Sequence, residues 1–154
     1  MRRWGGSRGS GRWAFDSACR QAFAAAATSP SESQQRVSQA LRKGLGLRVQ
    51  DEYRCPKSGY SIDMLVSDAH ARPSGTSAGT CTTGGDCSWV VEFDGPSHFL
   101  ACGSPTGATL LKHRHLRQLG YALVVVPYWE WNQVRGDEAA EVEYLRGKLD
   151  SGCV

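Results

Sequence analysis

No apolar run in this 154-residue sequence approaches the roughly 18 residues that a membrane-crossing helix needs. The longest, Ala122 to Pro127, is strand length. The six cysteines (Cys19, Cys55, Cys81, Cys87, Cys102 and Cys153) include no CxxC pair, and no hydrophobic segment of the secretory kind opens the chain. Mostly free thiols in a reducing compartment are therefore expected rather than a disulfide framework. A zinc site from Cys81, Cys87, His98 and Cys102 would use a C-x5-C spacing, which is not a standard finger pattern. Acidic residues are scarce at the start: residues 1–31 hold five arginines against Asp16 alone, a balance of +4. The whole chain carries +3, so the other 123 residues sum to −1. Any polyanion site must then be a local patch, because the chain is not basic throughout. What remains is enough sequence for one domain with a sizeable core.

The composition changes along the chain. Residues 1–31 are rich in Arg, Gly, Ser and Ala, and read either as an organelle-transit-like segment or as a disordered linker. Ser31 is placed to open a helix on which Val37, Ala40, Leu41 and Leu45 share a face, with Gly44 and Gly46 as stop signals. From Leu47 the period shortens, predicting a strand to about Arg54, a turn over Pro56 to Gly59 and a returning strand over Tyr60 to Val66. Residues 67–88 are Gly/Ser/Thr-rich without apolar period and are expected to be a disordered loop. Trp89 to Asp94 and Tyr121 to Pro127 read as buried strands, Gly107 to Leu119 as the helix between them, and Asp137 to Leu149 as a closing helix. This order predicts an α/β domain over 32–150, with a mixed four-stranded sheet flanked by helices and a crossover helix joining the last two strands.

Three carboxylates fall on strands: Asp63, Glu92 and Asp94. Glu92 and Asp94 are two apart, so they share a face. Acids gathered in a sheet need a cation, a basic side chain or a retained proton. A divalent metal would resolve the charge most sharply, whereas pairing with Arg or Lys, or capping of the Gly95 to His98 turn, would do so without one. Lys112 to Arg117 (KHRHLR) is a basic helical segment. Helical spacing puts Leu111, His115, Leu116 and Leu119 on one face and turns His113, Arg114 and Arg117 away, while Lys112 sits where it can snorkel towards the acids. The outward set suits phosphate contacts, and equally a solvated face. His98 is a candidate ligand or proton carrier. In the YWEW run, Trp131 is expected in the core. Tyr128 and Trp129 fit either base stacking or core closure.

The segment VVEFDGPSHF, then LKHRHLRQLGYALVVVPYWEW, then YLRGKL, resembles the RAP domain, an RNA-binding domain found at the end of organellar RNA-metabolism proteins such as FAST-kinase-like and octotricopeptide-repeat proteins. The resemblance is strongest over residues 60–150. It implies a restriction-endonuclease-like core, in which Asp63 and Glu92 match the acids of the nuclease motif. Asp94 stands where that motif has lysine, so the sequence departs from the catalytic pattern, and Lys112 on the helix is the available substitute.

The resulting expectation is an RNA-binding protein of the mitochondrial matrix or chloroplast, acting in RNA processing, transcript stability or rRNA maturation. Lys112, His113, Arg114, Arg117, Tyr128 and Trp129 would contact RNA, and no cofactor would be required. The alternative is a ribonuclease that uses Asp63, Glu92 and Asp94 around Mg²⁺ or Mn²⁺, with His98 and Lys112 aiding proton transfer. A third reading is a protein-interaction module that docks other RNA-processing proteins.

Overall fold

The computed structural model describes residues 30–67 and 88–151. The segment 1–29 and the loop 68–87, with Cys19, Cys81 and Cys87, lie outside the described residues, as does Cys153. The expectations of a transit-like segment, a disordered loop and a zinc site rest on those residues.

Helix α1 (Glu32–Gln39) starts where Ser31 caps it, the hydroxyl accepting the Gln34 amide at 3.1 Å. It widens into a π-type turn over Ala40–Gly44, and Gly46 leaves it at φ +67°. Strand β1 (Arg48–Arg54) pairs antiparallel with β2 (Ser61–Ser67), and β2 pairs antiparallel with β3 (Ser88–Asp94). Helix α2 (Gly107–Gln118), capped by Thr106, crosses over to β4 (Ala122–Pro127), which runs parallel to β3. The sheet order is thus β1-β2-β3-β4. Strand boundaries fall within a residue of those expected. One element was not anticipated: a short helix α3 (Tyr128–Val134) begins directly at the end of β4, ahead of the closing helix α4 (Glu138–Ser151).

Alternation along the strands sorts the side chains onto two faces. Met64, Val66, Val91, Phe93, Val124 and Val126 meet Val37, Leu41, Trp131, Leu145 and Leu149 in the larger core, beneath α1, α3 and α4. Trp131, as expected, is fully buried there. Burying that one side chain is worth on the order of 2–3 kcal/mol. On the other face the apolar cluster is small: Val90, Leu116 and Leu123 with Cys55 and Ile62. The same alternation brings Glu92 and Asp94, in line with Val90, to this second face, where α2 lies.

Candidate functional site

Helix α2 buries Thr109, His113 and Leu116, an i, i+4, i+7 stripe, and leaves Leu110 and Leu111 half exposed. This corrects the sequence reading, which put Leu111 inside and His113 outside. The reason is that the sheet beneath the first turns of α2 is acidic, not apolar. Lys112 Nζ donates to Glu92 Oε2 at 2.5 Å, and Glu92 is 1% exposed. His98 Nδ1 and Asp94 Oδ1 share a hydrogen bond of 2.8 Å, and His113 Nε2 stands 3.4 Å from Asp94 Oδ2. That last distance is ion-pair range without hydrogen-bond geometry. Asp94 is also almost wholly buried. Lys112 and His113, expected to meet phosphate, therefore hold the helix to the sheet.

Asp63 completes the cluster through a break in the ladder. The β2–β3 register ends at Met64 opposite Val91, and one step further the Asp63 carboxylate, not a backbone carbonyl, accepts the Phe93 amide at 2.9 Å. The β1–β2 register skips a pair at the same level, between Asp51–Met64 and Tyr53–Ile62. The residue at that gap is Glu52, which takes φ +51°, a conformation that costs a non-glycine residue about 1–2 kcal/mol. Its carboxylate is held by Gln34 Nε2 at 2.7 Å and Ser61 Oγ at 3.1 Å. Glu52 was not foreseen as part of the site. Its strand position gave no cue, and the strain shows only in the backbone.

These surroundings set the charges. Burial pushes the Glu92 carboxyl up to about 8, reinforced by the neighbouring Asp63, and Lys112 only partly opposes it. Burial also raises Asp63, against Lys112 and the Phe93 amide. For Asp94, burial pulls upward too, but the nearby His113 and His98 rings, the latter hydrogen-bonded to it, prevail and hold it at about 2. The hydrogen bond to Asp94 raises His98 in turn.

A divalent ion does not fit this arrangement. Glu92 Oε1 is buried without a partner, the one atom that invites a cation. Yet Lys112 already occupies the other oxygen, Asp94 faces two histidines, and Asp63 binds backbone. Among the described residues, no three Asp, Glu, His or Cys side chains are close enough to hold an ion together.

The outer edge of α2 carries Arg114 and Arg117, both exposed and without an ion pair among the described residues. Beyond the His98 turn, Phe99, Tyr128 and Trp129 form an aromatic group, with Phe99 and Trp129 centroids 4.4 Å apart and Tyr128 and Trp129 5.3 Å apart. Trp129 stays 39% exposed, whereas Trp131, two residues on, is core.

Residues 91–148 match the family model of the RAP domain. The chain is also 43% identical over 89 residues to "RAP domain-containing protein, chloroplastic" of Oryza sativa subsp. japonica. That alignment covers 57% of this chain and 11% of the relative, so the chain spans about a tenth of that protein's length. The family match contains Glu92, Asp94, His98, the α2 basic segment and the aromatic group; Glu52 and Asp63 precede it.

Proposed function

We propose that this RAP-domain segment is the RNA-contacting part of an organellar protein, in the chloroplast, and that it acts in transcript processing, transcript stability or rRNA maturation. The observation that carries the reading is the division of labour on α2. Lys112 and His113 are spent on Glu92 and Asp94, which fixes the helix. Arg114 and Arg117 are then presented outward with no internal partner among the described residues. A guanidinium on a fixed scaffold is well suited to phosphate, because its planar fork donates two parallel hydrogen bonds and less side-chain freedom is lost on contact.

Fluorescence anisotropy of a labelled 20-nucleotide single-stranded RNA over a range of salt tests the reading. Affinity should fall log-linearly with salt, at about 0.7 per phosphate neutralised. Arg114→Ala and Arg117→Ala should each make the slope shallower by about one contact. Affinity that is absent, or insensitive to salt, would sink the proposal and leave the protein-interaction reading in its place.

A further inference from the structure

We propose that the cleft between the Pro96–Gly103 turn and the start of α3 is a receptor for one unpaired nucleobase of single-stranded RNA; the inference rests on the RNA-contacting reading above. The cleft measures about 410 Å³, and its lining includes Pro96, Phe99, Leu100, Gly103, Tyr128 and Trp129.

Three observations point to a flat aromatic guest. The rings of Phe99, Tyr128 and Trp129 meet at 53°, 65° and 81°, so none lies flat on another. Each edge-on partner covers at most one face of a ring, and Trp129 keeps 39% of its surface exposed, ring area on which a base can form the offset stack it prefers. Leu100 (53%) and Trp129, both part of the lining, leave apolar surface exposed to solvent, where a folded chain gains nothing by keeping it.

Second, the cleft is built in advance. The turn is tied by Leu100 N to Ser104 O, Gly103 N to Leu100 O and Thr106 N to His98 O, each at 2.8 Å. Gly103 takes φ +81°, which a side chain would resist. A pocket already formed loses little freedom when its guest arrives.

Third, the charge beside it has the right sign for the sugar–phosphate chain that carries a base. His98 belongs to the same turn as Pro96 and Phe99, is about one-third exposed, and is favoured in its cationic form by its bond to buried Asp94. The location also fits, since it lies past the carboxyl ends of the parallel strands β3 and β4, where open α/β sheets receive ligands.

The test compares two ligands on the whole chain: a 12-nucleotide oligoadenylate and an abasic ribose–phosphate oligomer of equal length. Trp129→Ala should weaken oligoadenylate binding by about 5- to 150-fold, the equivalent of 1–3 kcal/mol per stacked base. Trp129→Phe should restore most of it. Neither variant should alter the salt slope or the affinity for the abasic oligomer. An unchanged far-UV circular dichroism spectrum and a cooperative urea transition would certify folding in each variant. Equal oligoadenylate affinity in wild type and Trp129→Ala, with the salt slope intact, would overturn the base receptor and spare the RNA reading. Equal losses on both oligomers would overturn it too, since the rings would then be serving the backbone or the fold. Absence of salt-dependent binding to either ligand would remove both readings at once.

Discussion

Lys112 donates to Glu92 at 2.5 Å, the reach towards the acids that its place on the helix allows, from a helix whose buried stripe runs through His113 and not Leu111. The bond ties the crossover helix α2 to the central strand β3, and it is purchased against the burial of an acid. Glu92 is pushed up to about 8 against an ordinary value of 4.5. Between those two values the folded chain keeps a proton that the unfolded chain has released. Stability from this group is therefore full below about pH 4.5 and declines as pH rises towards 8, by up to about 1.4 kcal/mol per pH unit. His98 acts in the same direction at higher pH: its raised value gives stability that is complete below its ordinary 6.5 and lost above it. Urea midpoints should thus fall from pH 5 to pH 8. In Glu92→Gln, most of the slope between pH 5 and 6.5 should vanish. A flat profile in the wild type would contradict the assignment.

Asp94 should prove the most sensitive carboxylate in the cluster. It receives His98 and faces His113, and its own value is held at about 2, so its stabilising charge persists throughout the neutral range and is lost only as pH falls from about 4 to 2. Asp94→Asn keeps the shape but removes the charge. The expected loss is about 1.5–3 kcal/mol in urea unfolding at pH 7. A second readout follows the cause directly. The His98 ring, titrated by NMR, should move down towards the ordinary histidine value, which a purely steric role for Asp94 would not produce.

What could be read from the sequence, and what could not, follows from the kind of force at each place. Ser31 as a cap, the Val37 and Leu41 stripe and the alternation that sets Glu92 beside Asp94 all depend on neighbours in the chain, and they stand in the structure. The facing of α2 does not. A stripe of leucines was the natural choice, but the strip of sheet that α2 covers carries Glu92 and Asp94, so His113 turns inward beside Lys112, whose reach towards the acids was foreseen, and Leu111 turns out. Electrostatic partners decided the rotation, and their position was not encoded locally. Helix α3 was missed for a related reason. Tyr128 to Val134 opens on Pro127 with no side-chain cap, and its aromatic residues favour strands as readily as helices. It is held by Trp131 in the core, a tertiary contact. Glu52 gave no sign at all, because its left-handed backbone coincides with the gap in pairing opposite Asp63, a feature of the sheet and not of the local sequence.

Removal of divalent metal should leave this protein unchanged. Each acid of the cluster already has a partner: Lys112 for Glu92 above all, the Phe93 amide for Asp63 and His98 for Asp94. Calorimetric titration with Mg²⁺ or Mn²⁺ at millimolar concentration should show no stoichiometric uptake. RNA affinity should be equal in EDTA and in Mg²⁺, and labelled RNA should remain intact in both. Metal-dependent cleavage abolished by Glu92→Ala would require Lys112 to move aside and would reinstate the ribonuclease reading.

Gly44 gives a test of packing away from the cluster, where α4 crosses the π-type turn that ends α1. A methyl group added at Gly44 would overlap Val142 Cγ2, with Val142 Cβ at 3.3 Å and Cγ1 at 3.4 Å. Valine in a helix has essentially one side-chain rotamer, so it cannot swing away without cost. The two segments must then separate, and separation loosens Leu41 and Leu145 in the same core. Gly44→Ala should therefore destabilise the fold by about 1–3 kcal/mol, the ordinary penalty of overpacking. Val142→Ala alone should cost little, since Val142 is only partly buried. In the double variant the Cγ2 overlap disappears and only the Cβ contact at 3.3 Å remains, so alanine's better helical propensity should recover much of the loss. A double-mutant cycle from urea unfolding should show a coupling above 0.5 kcal/mol, whereas simple additivity would mean that the turn and α4 do not meet as closely as described.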